Sequence, residues 1–267
     1  MNTRNLLLNA YVYLVLCFLV VPILIILPMA FSETDYITFP PRGFTWQWFG
    51  AFFQSAQWMS ATAFSARIAF FTAISSAVIG LCASYAIVRG KGALATVFQT
   101  LLIGPIVVPH IALAIALYLL FQSVGLTETT AGYVIAHTII ALPFSVFTIV
   151  AALSQVDPAL EDAAMCCGAN RFAAFRAVTL PLIWPNVLSG ALFAFVISFD
   201  EPVISFFLAG VRDKTLPRMM FDDIEQNLTP IIPAIAVMLT LLSIIVLVGA
   251  AGLRALAMRS QQIVSEE

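Results

Sequence analysis

The 267-residue chain is too apolar to form a water-wetted surface, because 61% of its residues are hydrophobic and only 10% are charged. A soluble domain carries about 25% charged residues, so the solvent of this chain is mostly lipid. Its net charge of −2 excludes a basic face for nucleic acid.

Apolar runs of membrane-crossing length recur along the chain and predict an all-α polytopic membrane protein with six transmembrane helices. A hydrocarbon core of about 30 Å needs about 20 residues at about 1.5 Å each. The first run is too long for the apolar core of a secretory signal peptide, so it is interpreted as an uncleaved span. The spans are predicted at about residues 11–31, 62–88, 94–122, 131–153, 186–208 and 230–253, within a single transmembrane domain over residues 1–267.

The distribution of lysine and arginine predicts the orientation, since these residues gather on the cytoplasmic side of membrane proteins. With the N-terminus inside, seven basic residues fall on the cytoplasmic side and four on the outer side. Both termini are therefore predicted to be cytoplasmic. The wetter stretch from Ser32 to about Ser60 is then outside, and its aromatic-rich segment Pro40–Phe49 is typical of a membrane interface.

The polar interval Ser154–Pro185, between the fourth and fifth predicted spans, is predicted to form two short helices. Asp157 is a good N-cap and Pro158 suits the first helical position. Gly168 offers a left-handed stop, and Asn170 can cap the second helix. A helix–turn–helix on the cytoplasmic face is the expected result.

The second of these helices is predicted to end at Leu180-Pro181, and the fifth span to start at Pro185. The residues alone leave two interpretations of the interval open. Ala163 and Ala164 are small enough for the groove of another protein to approach the backbone. The alternative is a solvated amphipathic loop that lies on the membrane.

The interval resembles the cytoplasmic signature of permeases from binding-protein-dependent ATP-binding-cassette importers. That signature reads Glu-Ala-Ala, three residues, Gly, nine residues, Ile-x-Leu-Pro. Here Asp162 stands in place of the usual Glu, with Glu161 just before it, and Val178 replaces Ile. We call residues 154–185 the signature loop. The resemblance implies a type I importer permease fold, with ATPase-coupling residues Glu161, Asp162, Ala163, Ala164, Gly168, Leu180 and Pro181.

The same resemblance implies the partners: an ATPase dimer, a second permease in a heterodimer, and an external substrate-binding protein at the bacterial inner membrane. ATP and Mg²⁺ would bind to the ATPase, and no cofactor is expected in this chain. The sequence agrees, since its only Gly-Lys pair, Gly90-Lys91, is followed by Gly92 instead of the Ser or Thr of a Walker A loop. We therefore expect a transport subunit and not an enzyme.

Two adjacent carboxylates, Asp200 and Glu201, lie near the end of the fifth predicted span. An Asp at the centre of a membrane helix costs about 2.5–3.5 kcal/mol, and such residues usually mark a path or gate. The alternative is a structural role, in which they stabilise a helix bent at Pro202 or pair with Arg67 or His110.

The substrate-path candidates are Ser198, Phe199, Asp200 and Glu201. Successive helical residues point about 100° apart, so a regular helix cannot aim both carboxylates at one path. Asp200 is preferred for the path because it precedes the proline break. Glu201 would then pair with a neighbour or stabilise the break.

A narrower resemblance, to spermidine/putrescine-type permeases, covers essentially the whole chain. It is carried by Ser-Phe-Asp-Glu at residues 198–201, by His137 and Pro143 six residues apart, and by Leu216-Pro217. The chain looks closest to the second permease of such pairs. The resemblance implies a polyamine substrate, which suits acidic path residues. An opine, an aminophosphonate or a ferric ion are the alternatives.

Two other functional classes fit the sequence less well. A gradient-driven transporter or channel would need internal repeats or a buried charge relay. A membrane enzyme would need a convergent catalytic set, and the four cysteines show no metal-ligand spacing. His110 and His137 are interpreted as packing residues that bond backbone groups freed by Pro105, Pro109 or Pro143.

Overall fold

A computed structural model describes residues 3–90, 92–210, 213–245 and 248, and these residues form helices and their connections. The helices are α1 Thr3–Met29, α2 Gln47–Gln54, α3 Ala56–Arg89, α4 Ala93–Val107, α5 His110–Val124, α6 Thr130–Leu153, α7 Pro158–Cys166, α8 Arg171–Ala174, a π-helical turn Phe175–Thr179, α9 Leu180–Phe199, α10 Val203–Leu208, α11 Leu216–Gln226 and α12 Ile231–Ile245. The all-α prediction is confirmed over this part of the chain.

The described residues of 1–59 and 220–252 form one compact unit, and those of 60–219 form the main part of a second. The second unit contains the signature loop and all the substrate-path candidates. The single permease domain over residues 1–267 stays a prediction.

Within the described ranges, four helices are long and apolar enough to cross a membrane: Leu8–Met29, Ala56–Arg89, Thr130–Leu153 and Arg171–Phe199. A bent pair, Thr96–Val107 with His110–Val124, makes a fifth if it is one broken span. The apolar helix α12 begins where the sixth span was predicted, and the predicted end of that span lies outside the described residues. The structure is compatible with six spans.

The predicted third span is not one straight helix, because α4 and α5 are bent by 107° at Val108-Pro109. Val108 has an extended backbone, with φ −74° and ψ 131°. A proline pushes the residue before it out of the helical region, and it supplies no N–H itself. The span predicted at about residues 94–122 therefore consists of two helices joined at a proline bend.

The prediction that the second short helix ends at Leu180-Pro181 was wrong, because the helix runs without interruption from Arg171 to Phe199. A proline normally clashes with the carbonyl four residues before it. Here the π-helical turn Phe175–Thr179, with its wider i→i+5 spacing, lies immediately ahead of Pro181. Pro181 thus falls in the first turn of α9 and Pro185 in its interior.

The fifth predicted span also differs at its other end. It was predicted to continue to residue 208, but α9 stops at Phe199 and α10 begins at Val203. Pro202 cannot donate a backbone hydrogen bond, which explains why the helix is interrupted there. The expected unwinding beside Pro202 is confirmed.

Close packing in the second unit joins α3, α6 and α9. The Ser145 hydroxyl donates to the Ser76 carbonyl at 3.1 Å. A Cβ added to Gly80 would lie 2.8 Å from Ser145 Oγ, and one added to Gly190 would lie 2.9 Å from the same atom. Small residues allow membrane helices to approach this closely. One turn further along α6, an apolar core begins, which consists of Ile149, Leu153, Ile183 and Val187.

In the first unit, the segment predicted to lie at the interface forms an aromatic cluster. Phe31 stacks on Phe44 at 4.9 Å and meets Trp46 edge-on at 4.8 Å. Phe44 and Trp46 remain exposed. Amphipathic aromatic rings of this kind are enriched at membrane–water boundaries.

Candidate functional site

The two short helices of the signature loop are capped as the sequence predicts. Asp157 accepts a hydrogen bond from the Ala159 amide at 2.9 Å at the start of α7. Asn170 accepts one from the Ala173 amide at 2.8 Å at the start of α8. Gly168 lies between the two helices with φ 94°, a conformation that favours glycine. The helix–turn–helix is therefore confirmed.

Glu161 faces inward from α7 and is only 8% exposed. Its Oε1 accepts hydrogen bonds from the Thr179 hydroxyl at 2.6 Å and from Arg89 Nη2 at 3.3 Å. Its Oε2 accepts one from the Tyr85 hydroxyl at 2.9 Å. These contacts tie α7 to the end of α3 and to the π-helical turn.

Burial of Glu161 would raise the pKa of its carboxyl, but the hydrogen bonds from Thr179 and Tyr85 and the charge of Arg89 outweigh that effect. The pKa is therefore lowered from its ordinary value, and the side chain is a carboxylate near neutral pH.

The opposite face of α7 is open. Asp162, Ala163 and Gly168 are exposed, and Ala164 is half-buried. Two large apolar side chains of the signature loop are exposed as well, Leu160 of α7 by 46% and Phe172 of α8 by 72%. The sequence reasoning missed these two, although apolar residues inside a polar loop were the available signal.

Leu180 and Pro181, the last residues of the signature, lie in the first turn of α9 and outside α7. Leu180 is half-buried and Pro181 is exposed. Four of the seven predicted coupling residues therefore lie together, on the open side of α7 and in the turn that follows it: Asp162, Ala163, Ala164 and Gly168.

The two adjacent carboxylates occupy different environments at the break between α9 and α10. Glu201 is 5% exposed, and its Oε1 accepts from the amides of Val203 at 2.8 Å and Ile204 at 3.0 Å. It thus satisfies two of the free donors at the start of α10. Its Oε2 lies 3.9 Å from Nδ1 of His110. Asp200, at the C-cap of α9, is exposed.

His137 is fully buried and bonds the same break. Its Nδ1 lies 3.1 Å from the Ser198 carbonyl and 2.8 Å from the Ser198 hydroxyl, and its Nε2 lies 3.4 Å from the Ser205 hydroxyl. In a continuous helix the Ser198 carbonyl would accept from residue 202, which is a proline here. With its proton on Nδ1, His137 donates in place of the missing amide.

The packing interpretation of His137 is thus confirmed, but the carbonyl it bonds is freed by Pro202 and not by the prolines considered from sequence. Of the other path candidates, Ser198 is buried and Phe199 is half-buried. His110 begins α5 directly after the bend at Pro109, so its contact with Glu201 joins two helix breaks. Broken helices in transporters commonly line binding sites.

A family model described as "Binding-protein-dependent transport system inner membrane component" matches residues 76–259, which include the whole signature loop and the helix break. The chain belongs to this family. It is therefore a transport subunit of the bacterial inner membrane and not an enzyme.

Two curated relatives cover most of the chain. The spermidine/putrescine transport system permease protein PotC of Haemophilus influenzae is 31% identical over 92% of this chain and 95% of its own length. The putrescine transport system permease protein PotI of Escherichia coli is 30% identical over 83% of this chain and 81% of its own length. The resemblance to spermidine/putrescine-type permeases is confirmed.

Two solved structures share the fold. One is a bacterial ABC transporter involved in the import of the acidic polysaccharide alginate, with a TM-score of 0.70 at 15% identity, over 92% of this chain and 95% of the matched chain. The other is a bacterial alginate ABC transporter in complex with an alginate pentasaccharide-bound periplasmic protein, with a TM-score of 0.67 at 17% identity, over 93% of both chains. The ABC importer permease fold is thereby confirmed.

Replacing the buried histidine tests its role at the proline break. We expect His137→Phe to lower the free energy of unfolding by about 1–3 kcal/mol, because the Ser198 carbonyl loses its donor. Pro202→Ala restores an amide at the position that would bond this carbonyl. His137→Phe should therefore cost less in the Pro202→Ala background. Thermal unfolding in detergent of the wild type, both single variants and the double variant measures the coupling, and equal costs in both backgrounds would contradict the assignment.

Proposed function

We propose that this permease forms, with a second permease, the translocation path of an ATP-driven importer for a polyamine or a related cationic compound. The observation that carries the proposal is Asp200, an exposed carboxylate at a helix break in a chain whose relatives are polyamine permeases. A substrate-binding protein delivers the compound from outside. An ATPase dimer on the inner side binds ATP and Mg²⁺.

The coupling surface in this proposal is the open face of α7. Ala163 is exposed and small, and the apolar side chains of Leu160, on the same helix, and Phe172, on the following helix α8, are exposed too. A surface that is capped, helical and partly apolar suits insertion into a groove of the ATPase. When ATP closes the ATPase dimer, α7 moves with it and the path alternates between inward-open and outward-open states.

The path in this proposal runs past the break between α9 and α10. Glu201 is already engaged by two backbone amides and lies close to His110, whereas Asp200 is exposed. Asp200 would therefore be the attractive charge that a passing polycation meets. One carboxylate keeps this attraction weak enough for release, which transport requires.

The orientation belongs to the same proposal. The signature loop and both termini lie in the cytoplasm, and residues 32–60 lie outside. The excess of lysine and arginine on the side of the signature loop supports this arrangement.

Blocking the open face of α7 should uncouple the importer. We expect Ala163→Arg to lower uptake about tenfold or more, because the long side chain keeps the ATPase from seating and removes the coupling between the two proteins. Ala51→Arg, at an exposed alanine of α2, is the matched control. Uptake and co-purification of the ATPase are measured in parallel. Wild-type uptake by Ala163→Arg would refute the docking surface.

Neutralising the exposed carboxylate should weaken cation transport. We expect Asp200→Asn, which keeps the shape of the side chain, to reduce putrescine uptake about tenfold, since a hydrogen bond to a charged group contributes about 1.5–3 kcal/mol. Assembly and basal ATP hydrolysis should persist. Asp35→Asn is the control at another exposed aspartate. Unchanged uptake, or an anion as the ligand of the cognate binding protein, would rule out the cation path.

The orientation can be tested by thiol labelling in a chain freed of its four cysteines. We expect a membrane-impermeant maleimide added outside to label Trp46→Cys and Asp213→Cys but not Asp162→Cys. Permeabilised cells should label all three, which shows that each thiol is reactive. Labelling of position 162 in intact cells would overturn the topology.

A further inference from the structure

We infer that Glu161 is a positioning residue that transmits the movement of α7 to the membrane helices and does not touch the ATPase itself. The inference rests on the proposed docking of α7, and it gives Glu161 a different role from the exposed residues of the signature. The evidence is the direction of its side chain, the number of its partners and the elements that supply them.

The partners of Glu161 come from two helices of membrane-crossing length, α3 and the helix that continues into α9. Tyr85 and Arg89 belong to the end of α3, and Thr179 ends the π-helical turn that leads into α9. All three donate to the Glu161 carboxylate, at 2.9, 3.3 and 2.6 Å. One side chain thus connects α7 to two membrane helices at once.

Two further contacts close the same cluster. Arg89 Nη2 donates to the Val156 carbonyl at 3.0 Å. This hydrogen bond attaches the connection that precedes α7 to the end of α3. The Tyr85 ring meets the Phe175 ring of the π-helical turn edge-on at 5.1 Å. α3 and the π-helical turn therefore contact each other, and each of them also contacts α7 through Glu161.

The π-helical turn explains how Thr179 reaches Glu161. As far as Val187, the buried residues along this helix are Ala174, Thr179, Ile183 and Val187, so their spacing is five residues across the turn and four over the start of α9. A helix with 3.6 residues per turn keeps four-residue spacing on one face, and an i→i+5 turn keeps five-residue spacing there. The turn therefore lets Ala174 and Thr179 share one buried face with the core of α9.

The two faces of α7 have different roles in this inference. Asp162 and Ala163 are exposed and available to a partner, whereas Glu161 is buried against α3 and the π-helical turn. When the ATPase displaces the exposed face of α7, the hydrogen bonds of the Glu161 carboxylate transmit this displacement to α3 and α9. Because α3 and α9 both pack on α6 at Ser145, the three helices receive the displacement together.

The test uses the assembled complex in nanodiscs with Glu161→Gln, which keeps the shape of the side chain and removes its charge. Spin labels are attached to native Cys82 of α3 and to Pro158→Cys of α7, with the other cysteines replaced. Pro158 is exposed and lies about 140° around the helix from Ala163, so the label is directed away from the docking face. In the wild type, ATP and vanadate should leave the distance between the labels unchanged. In Glu161→Gln, they should shift or broaden it, because α7 then follows the ATPase without α3. This readout does not depend on the substrate.

A second readout is putrescine uptake per ATP hydrolysed in proteoliposomes. Glu161→Gln and Thr179→Val should each lower this ratio about fivefold or more while the ATPase still co-purifies. Thr179 is buried and cannot reach a partner, so a shared defect identifies the cluster. Tyr85→Phe, which removes one hydroxyl from the cluster, serves if the Glu161→Gln permease itself does not fold. Glu225→Gln is the control at an exposed glutamate.

Loss of the ATPase from the Glu161→Gln complex would overturn the inference, because Glu161 would then contact the partner directly. An unchanged label distance together with a wild-type uptake ratio would overturn it as well. Failure of the docking proposal itself gives a different result, since Ala163→Arg would then be harmless whatever Glu161→Gln does.

Discussion

A proline in a membrane helix leaves a carbonyl without its amide partner, and lipid offers no replacement. Much of the site follows from this constraint. The Ser198 carbonyl, which Pro202 cannot serve, is bonded by His137. The free amides that follow the break are bonded by Glu201. These hydrogen bonds use polar side chains that would otherwise be costly in an apolar helix, and they leave Asp200 as the exposed carboxylate at the break.

The signature loop shows the same division between groups that hold the fold and groups that face outward. Glu161 and Asp162 are neighbours with the same chemistry, yet one is buried among three donors and the other is exposed. Asp200 and Glu201 repeat this arrangement at the helix break. In each pair, one carboxylate is engaged by donors of the protein and its neighbour is exposed.

Local signals predicted the caps at Asp157 and Asn170 and the interruption at Pro202, because each depends on residues a few positions apart. The inward direction of Glu161 was not predictable, since Tyr85 lies 76 residues away in the chain. The uninterrupted passage through Pro181 depends on a π-helical turn that has no sequence signature. The bend at Pro109 was marked by its proline, but its size is set by packing. The roles of the coupling and path residues stay predictions.

Ser145 sits between two glycines on neighbouring helices, with no room for one more carbon on either side. On the Gly190 side, the Ser145 backbone is 3.2 Å from where a Cβ would be, so rotating a side chain cannot make space. Substitutions in this permease are therefore tolerated unequally at different positions. Lipid-facing positions can exchange one apolar residue for another, whereas a larger residue at Gly190 requires the backbones of α6 and α9 to move apart.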